Sequence, residues 1–255
     1  MNYLKYTQVI NFEIGDKCNL TKIHAECPSN AVRKPGKELT DDMVMSLVNE
    51  VYTKQGFRGF IAWHNYNEPL LQANRILNLM EKIRTDFPQS RFLLWTNGTI
   101  LLEDSRIKLF EQVYCTDYLN TGVDKIYECF KGVGWFGCKG AKEIVLDDRF
   151  KDQPNEKHFG RCLRPLVEFI IDNYGIVHFC CYDWNSVVEI GNIWEMSLES
   201  ILKKREKLIK KVCGRQMENN APERCLRCQF REDNPNTSHF DIVIANEASE
   251  KYLTW

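Results

Sequence analysis

The sequence has no surplus of either charge: 34 Lys and Arg face 35 Asp and Glu, for a formal net charge of -1. General nucleic-acid binders usually carry a basic excess or stripe, so that class is set aside. No apolar run approaches the ~20 residues that span a bilayer, and no membrane role is expected. The opening residues, Met1 to Gln8, contain no apolar signal-peptide core. The expected location is the cytoplasm, where disulfides are rare. Internal repeats and low-complexity tracts are also missing. Cysteine, by contrast, is plentiful, with 11 in 255 residues. An odd number cannot pair completely, and thiols in a reducing compartment point to metal. The length and the 44% hydrophobic content suit one large domain, or one domain with a small appendage.

The first 150 residues alternate strand-like and helix-like segments. Residues 7–14, 59–63, 91–96 and 113–116 read as strands. Thr40, Asp41 and Asp42 mark a helix start, because an acceptor and negative charge suit the free N–H groups there. Met43, Val44, Leu47, Val48 and Val51 then share one helical face, and Gly56 ends the helix. Pro69 opens the next helix, with Leu70, Leu71, Ile76, Leu77, Met80 and Ile83 on its apolar side. Further helices are expected near 103–112 and 123–130, before an apolar segment at 143–147. Residues 15–37 read as a long loop, and Gly132, Gly134, Gly137 and Gly140 as a flexible one. This alternation predicts an α/β fold with a parallel sheet.

The polar stretch 151–160 marks a boundary. Beyond it, residues 166–172 and 176–182 flank Asn173-Tyr174-Gly175 and read as a β-hairpin. Residues 196–212 read as an amphipathic helix. Its Lys203, Lys204, Arg205, Lys207, Lys210 and Lys211 are expected on a solvated face, opposite Leu202, Leu208, Ile209 and Val212. The expected division is 1–150, 151–235 and a tail 236–255.

Four cysteines stand out in the second part: Cys162, Cys180 at the end of the hairpin, and the Cys225-x2-Cys228 knuckle. Four thiolates suit tetrahedral zinc or an iron–sulfur cluster, and the pattern leaves both open. In the first part, Cys18, His24 and Cys27 lie in the loop after the first strand. That is where α/β barrels carry their chemistry. Two more strand ends belong to the same face: His64-Asn65-Tyr66-Asn67-Glu68-Pro69 and Thr96-Asn97-Gly98-Thr99. Read alone, these are also capping and turn sequences. Trp63, Trp95, Trp135 and Trp184 are candidates for a pocket or for the core.

Taken together, these residues resemble the radical S-adenosylmethionine superfamily, from the first strand to Cys228. Cys18-Asn19-Leu20 and Cys27-Pro28 resemble the start and end of its cluster loop. Asn67-Glu68-Pro69 resembles its Gly-Glu-Pro motif, and Thr96-Asn97 the strand end near the cofactor ribose. Cys162-x12-Gly175-x4-Cys180 followed by Cys225-x2-Cys228 resembles a truncated SPASM domain, the twitch form. The arrangement is similar to cyclitol-oxidising members.

The resemblance implies a partial (β/α)6 barrel with a small C-terminal α+β iron–sulfur domain. It implies two 4Fe–4S clusters and S-adenosylmethionine. Cys18, His24 and Cys27 would hold the first cluster, and Cys162, Cys180, Cys225 and Cys228 the auxiliary one. Asn67, Glu68, Pro69, Thr96 and Asn97 would bind the cofactor. The expected reaction is hydrogen abstraction from a sugar- or cyclitol-like small molecule, fed by an external reductant such as flavodoxin or ferredoxin. Asp147, Asp148 and Arg149, at the end of the apolar segment, are nominated as catalytic substrate contacts. The loop departs from the usual Cys-x3-Cys-x2-Cys: here it is Cys18-x5-His24-x2-Cys27, with Glu26 where an aromatic residue is common. Histidine on iron raises the reduction potential in Rieske centres. Cys115, Cys129, Cys138, Cys181 and Cys213 are left over. Cys181 is expected to face away from Cys180, as strand neighbours do. Alternatives are modification of a peptide or nucleotide sugar, and a non-catalytic iron–sulfur protein.

Overall fold

A computed structural model describes residues 3–23, 27–30, 36–119, 123–140, 157, 159–214 and 218–228. Their centre is one eight-stranded mixed sheet in the order β5-β4-β3-β2-β1-β6-β7-β8. The strands are β1 (Val9–Phe12), β2 (Phe60–Ala62), β3 (Arg91–Thr96), β4 (Gln112–Asp117), β5 (Trp135–Gly140), β6 (Glu168–Ile171), β7 (Ile176–His178) and β8 (Gly191–Asn192). From β5 through β1 to β6 every pairing is parallel; β7 and β8 are antiparallel additions.

The sheet is apolar on both faces, and the helices pack against one of them. Val9, Phe60, Ala62 and Leu93 point to one side, with Trp95 and Tyr114 against them. Their neighbours Ile10, Phe12, Ile61, Trp63, Phe92, Leu94 and Val113 point to the helix side. The period of two along each strand separates the sets. Trp63, a pocket candidate, is therefore a fully buried core residue.

Helix α1 (Asp41–Lys54) starts as its sequence requires: the Thr40 side chain accepts the Met43 N–H, and Asp41 and Asp42 fill the first turn. It buries Val44, Leu47, Val48, Val51 and Tyr52. Such a side chain contributes about 1.5–3 kcal/mol on burial, against about 1 kcal/mol for a cap, so the apolar face decides the helix. Pro69–Gln72 forms a 3-10 turn, and α2 (Ala73–Asp86) follows. Leu71, expected in the apolar set, is 43% exposed because that turn swings it outward. Residues 105–109 form a 3-10 turn in place of the expected helix, and α3 is Val123–Cys129.

Three further readings change. The glycine-rich segment around Gly137 and Gly140 is strand β5, held by six register pairs to β4. Backbone pairing there outweighs glycine's weak strand propensity. The hairpin expected to open a second domain adds β6 directly beside β1. The short α4 (Arg164–Val167) precedes it, and α5 (Leu198–Cys213) and α6 (Glu223–Leu226) follow. Finally, Arg205 is not on the solvated face of α5. It is 2% exposed, and its guanidinium donates to the carbonyls of Pro165 and Glu168. The segment 143–147 and most of the boundary 151–160 lie outside the described residues. Among the described residues, no helix is long and apolar enough to cross a membrane.

Candidate functional site

The C-terminal ends of β1, β2 and β3 converge on Cys18. Its sulfur accepts the Leu20 N–H at 3.5 Å and the Asn97 amide at 3.7 Å. Asn97 also donates to Asn19 at 2.9 Å. Its carbonyl oxygen accepts from the Thr99 N–H and hydroxyl. Burial pushes the Cys18 thiol up, and the charges of Glu68 and Cys27 push it further.

Glu68 is the other anchor, only 2% exposed. Its carboxylate accepts from the Thr96 hydroxyl at 2.8 Å, the Asn97 N–H at 2.8 Å and the Leu70 N–H at 3.1 Å. Burial nevertheless raises its pKa against those three bonds. Pro69, buried just after it, starts the turn that delivers the Leu70 N–H. Asn67 is used inside the protein: its amide donates to the carbonyls of Ile14 and Trp63. It shapes the loop that presents Glu68. A cleft of about 240 Å³ opens beside Glu68, lined by Gly15, Asp16, Lys17, Glu38 and Asn173 among others. Its charged lining is Asp16, Glu38 and Glu68 with Lys17. On the sheet face of Val9 and Leu93, Trp95 lies between His64 and Tyr114, with ring centroids 5.8 Å and 6.0 Å away.

The second constellation is built by the hairpin and α5. Cys162 is held at both backbone ends. Its N–H donates to the Val212 carbonyl, and its carbonyl accepts from the Cys213 thiol. Cys225 lies in α6, and the Cys228 N–H closes the knuckle onto the Cys225 carbonyl at 3.2 Å. Cys180 follows β7 in a turn closed by the Asp183 N–H. Because β7 ends at His178, strand alternation does not govern Cys181 as expected. Burial pushes the thiols of Cys180 and Cys225 well up, and the charges of their cysteine neighbours, Cys162 included, add to it. Cys213 is likewise raised by burial and by Cys162.

Buried thiols beside one another resist ionising until a cation compensates them. Among the described residues, no three His, Cys, Asp or Glu side chains converge tightly enough for one metal ion. A single tetrahedral zinc needs every sulfur about 2.3 Å from one point. A cluster, with its ligands on separate irons, takes a wider set. His24, Asp147, Asp148 and Arg149 lie outside the described residues.

Two groups that the sequence reading missed lie between the constellations. Glu13 is fully buried, and its carboxylate accepts the Tyr66 N–H at 2.9 Å and the Asn173 N–H at 3.2 Å. His178 is 3.2 Å from the Asp172 carboxylate, with the Asp183 carbonyl and Ser186 hydroxyl at its other nitrogen. Burial alone would lower its pKa; the hydrogen bond and charge of Asp172 overcome that and raise it above 6.5. A histidine raised on folding stabilises fully below its unfolded pKa, and that stability is lost as pH rises through the folded value. His178→Gln should therefore flatten the fall in denaturant midpoint of the metal-free protein as pH rises above 6.5. An unchanged slope would refute a charged His178.

Residues 162–229 match the SPASM model, an iron–sulfur cluster-binding domain. The S-adenosyl-L-methionine-dependent 2-deoxy-scyllo-inosamine dehydrogenase of Niallia circulans is 25% identical over 212 residues, 77% of this chain and 82% of that protein. The chain is thus similar to an S-adenosyl-L-methionine-dependent dehydrogenase over most of its length and to an iron–sulfur cluster-binding domain at its C-terminal end. The fold agrees. The crystal structure of BtrN in complex with AdoMet and 2-DOIA superposes with a TM-score of 0.63 and 23% identity, covering 81% of this chain and 87% of that one. BtrN in an open conformation gives a TM-score of 0.57 at 21% identity, covering 81% and 85%. Of the sequence-predicted residues, Cys18, Asn97, Glu68 and Thr96 are linked in a chain of hydrogen bonds, and the charges of Cys162 and Cys228 act on Cys225.

Proposed function

We propose that the chain is a radical S-adenosylmethionine oxidoreductase acting on a sugar- or cyclitol-like small molecule. The observation that carries this reading is the Cys18–Asn97–Glu68–Thr96 group at three adjacent strand ends. Its donor set fits a cluster edge with an amino-acid binding site beside it. When bound, two 4Fe–4S clusters supply one-electron chemistry: reductive cleavage of S-adenosylmethionine to a 5′-deoxyadenosyl radical at the first site, and uptake of a substrate electron at the second.

The residues of the chain perform the remaining tasks. Cys18, Cys27 and His24 hold the first cluster. Asn97 steadies the Cys18 sulfur, and Asn67 fixes the turn that carries Glu68. Glu68 offers its carboxylate to the ammonium of the methionine moiety, while Thr96 and the Asn97 N–H orient it. Cys162, Cys180, Cys225 and Cys228 hold the auxiliary cluster. Asp147, Asp148 and Arg149 contact the substrate. The conversion of a secondary alcohol to a ketone balances as one hydrogen atom, one proton and one electron removed. Arg149→Lys should lower turnover with iron content intact, because the planar fork is lost.

Anaerobic reduction of the reconstituted protein with S-adenosylmethionine should yield 5′-deoxyadenosine, and Cys18→Ala should yield none. No product from the wild type with both sites filled would overturn the reading in favour of a non-catalytic iron–sulfur protein. The His24 position in the cluster loop is what favours that second class.

A further inference from the structure

The long loop from Gly15 to Leu39 carries Cys18 and Cys27, yet both of its ends are fastened to the same tight turn far along the chain. The Gly15 N–H donates to the Asn173 side-chain oxygen at 2.9 Å. The next residue, Asp16, accepts the Tyr174 hydroxyl at 2.6 Å. At the exit, the Leu39 N–H donates to the Asn173 carbonyl at 2.8 Å. Trp194, beside the same turn, donates its indole N–H to the Lys37 carbonyl at 2.8 Å, and the Lys37 ammonium sits 3.8 Å from its ring centroid. The turn itself is rigid. Asp172 caps it by accepting the N–H groups of Tyr174 and Ile176. Gly175, at φ +80°, leaves no room for a side chain against Trp194. Asp172 in turn contacts His178, two residues before Cys180.

We infer that the Asn173–Tyr174 turn is a clasp that positions the first cluster loop, so that the hairpin carrying Cys180 also builds the Cys18 site. The inference rests on the reading that this loop holds the cluster addressed by S-adenosylmethionine. Entry into the loop is fixed residue by residue: Gly15 by Asn173, Asp16 by Tyr174, Lys17 by the Glu68 N–H, and Cys18 by Asn97. Two of these four holds come from the hairpin. Closing a flexible loop costs entropy that pre-formed end contacts remove. Asn173 and Tyr174 are positioning residues; neither is assigned contact with the cofactor.

Hydrogen exchange on the full-length, metal-free chain tests the clasp without any cluster. Tyr174→Phe removes one hydroxyl and should accelerate exchange in peptides covering 15–23 about ten-fold. Helix α5 should keep its protection. Asp16→Ala should give the same acceleration, and the double variant should add nothing further, because both remove one contact. Unchanged exchange at 15–23, equal acceleration in α5, or additive effects would each overturn the clasp.

On the reconstituted protein, Tyr174→Phe and Asn173→Ala should weaken the change that S-adenosylmethionine makes in the electron-spin-resonance signal of the reduced protein. The signal of the cluster at Cys162, Cys180, Cys225 and Cys228 should stay as in wild type. A wild-type response preserved in both variants would also overturn the clasp. If the wild type itself shows no response to S-adenosylmethionine, the proposed function fails and the exchange result alone judges the clasp.

Discussion

Glu13→Ala should lower the unfolding free energy by about 2–6 kcal/mol, a large share of the 5–15 kcal/mol typical of a native chain. The carboxylate has no exposed surface and accepts the N–H groups of Tyr66 and Asn173. Each buried N–H left without a partner costs about 1–3 kcal/mol. Both belong to loops at strand ends, one after β2 and one after β6, so their loss loosens both sides of β1 at once. Glu13→Gln keeps an acceptor for one N–H and should lose about half as much. Urea midpoints at constant slope measure both variants. A loss under 1 kcal/mol for the alanine variant would show that water or a rearranged loop replaces the carboxylate.

Losing one auxiliary ligand should divide the two sites cleanly. Reconstituted wild type is expected to hold about eight irons, as two four-iron clusters. Cys225→Ala should fall to about four and still form 5′-deoxyadenosine. Substrate oxidation should disappear, since the second electron has no acceptor. Cys18→Ala should also fall to about four irons but form no 5′-deoxyadenosine. Cys225 is 8% exposed, and the charges of Cys162 and Cys228 act on it. His24→Ala belongs in the same series. About four irons would make His24 a ligand, and about eight would direct the search for a third ligand elsewhere. Loss of 5′-deoxyadenosine in Cys225→Ala with the first cluster filled would refute the separation of roles.

Residues that belong to short local patterns were legible before the fold was known. Glu68, before the turn that follows β2, and Thr96, at the end of β3, sit where the alternation of strands and helices places them. Arg205 was misjudged because its charge was weighed above its position. It stands four residues from both Ile201 and Ile209, on the buried stripe of α5. The long-range contacts of Glu13, Asn173 and Tyr174 leave no local signal. Glu13 binds Asn173 across 160 positions of chain, and Tyr174 reaches Asp16 across 158. Such contacts follow from β6 lying beside β1, which no periodicity encodes. Asn-Tyr-Gly announced a turn, and only the fold reveals what the turn touches. The glycines of β5 hid a strand for a related reason: their pairing is supplied entirely by β4.

The parallel seam between β1 and β6 also bears on how the molecule comes into being. During synthesis, Val9–Phe12 leaves the ribosome 159 residues ahead of its partner Glu168–Ile171. Once Phe60–Ala62 has followed, β1 has β2 on one side and an unpaired edge on the other. An apolar edge of this kind is an invitation to neighbouring chains. A nascent or prematurely terminated chain that stops before residue 168 would carry that edge permanently, making it a natural client for a chaperone or a protease.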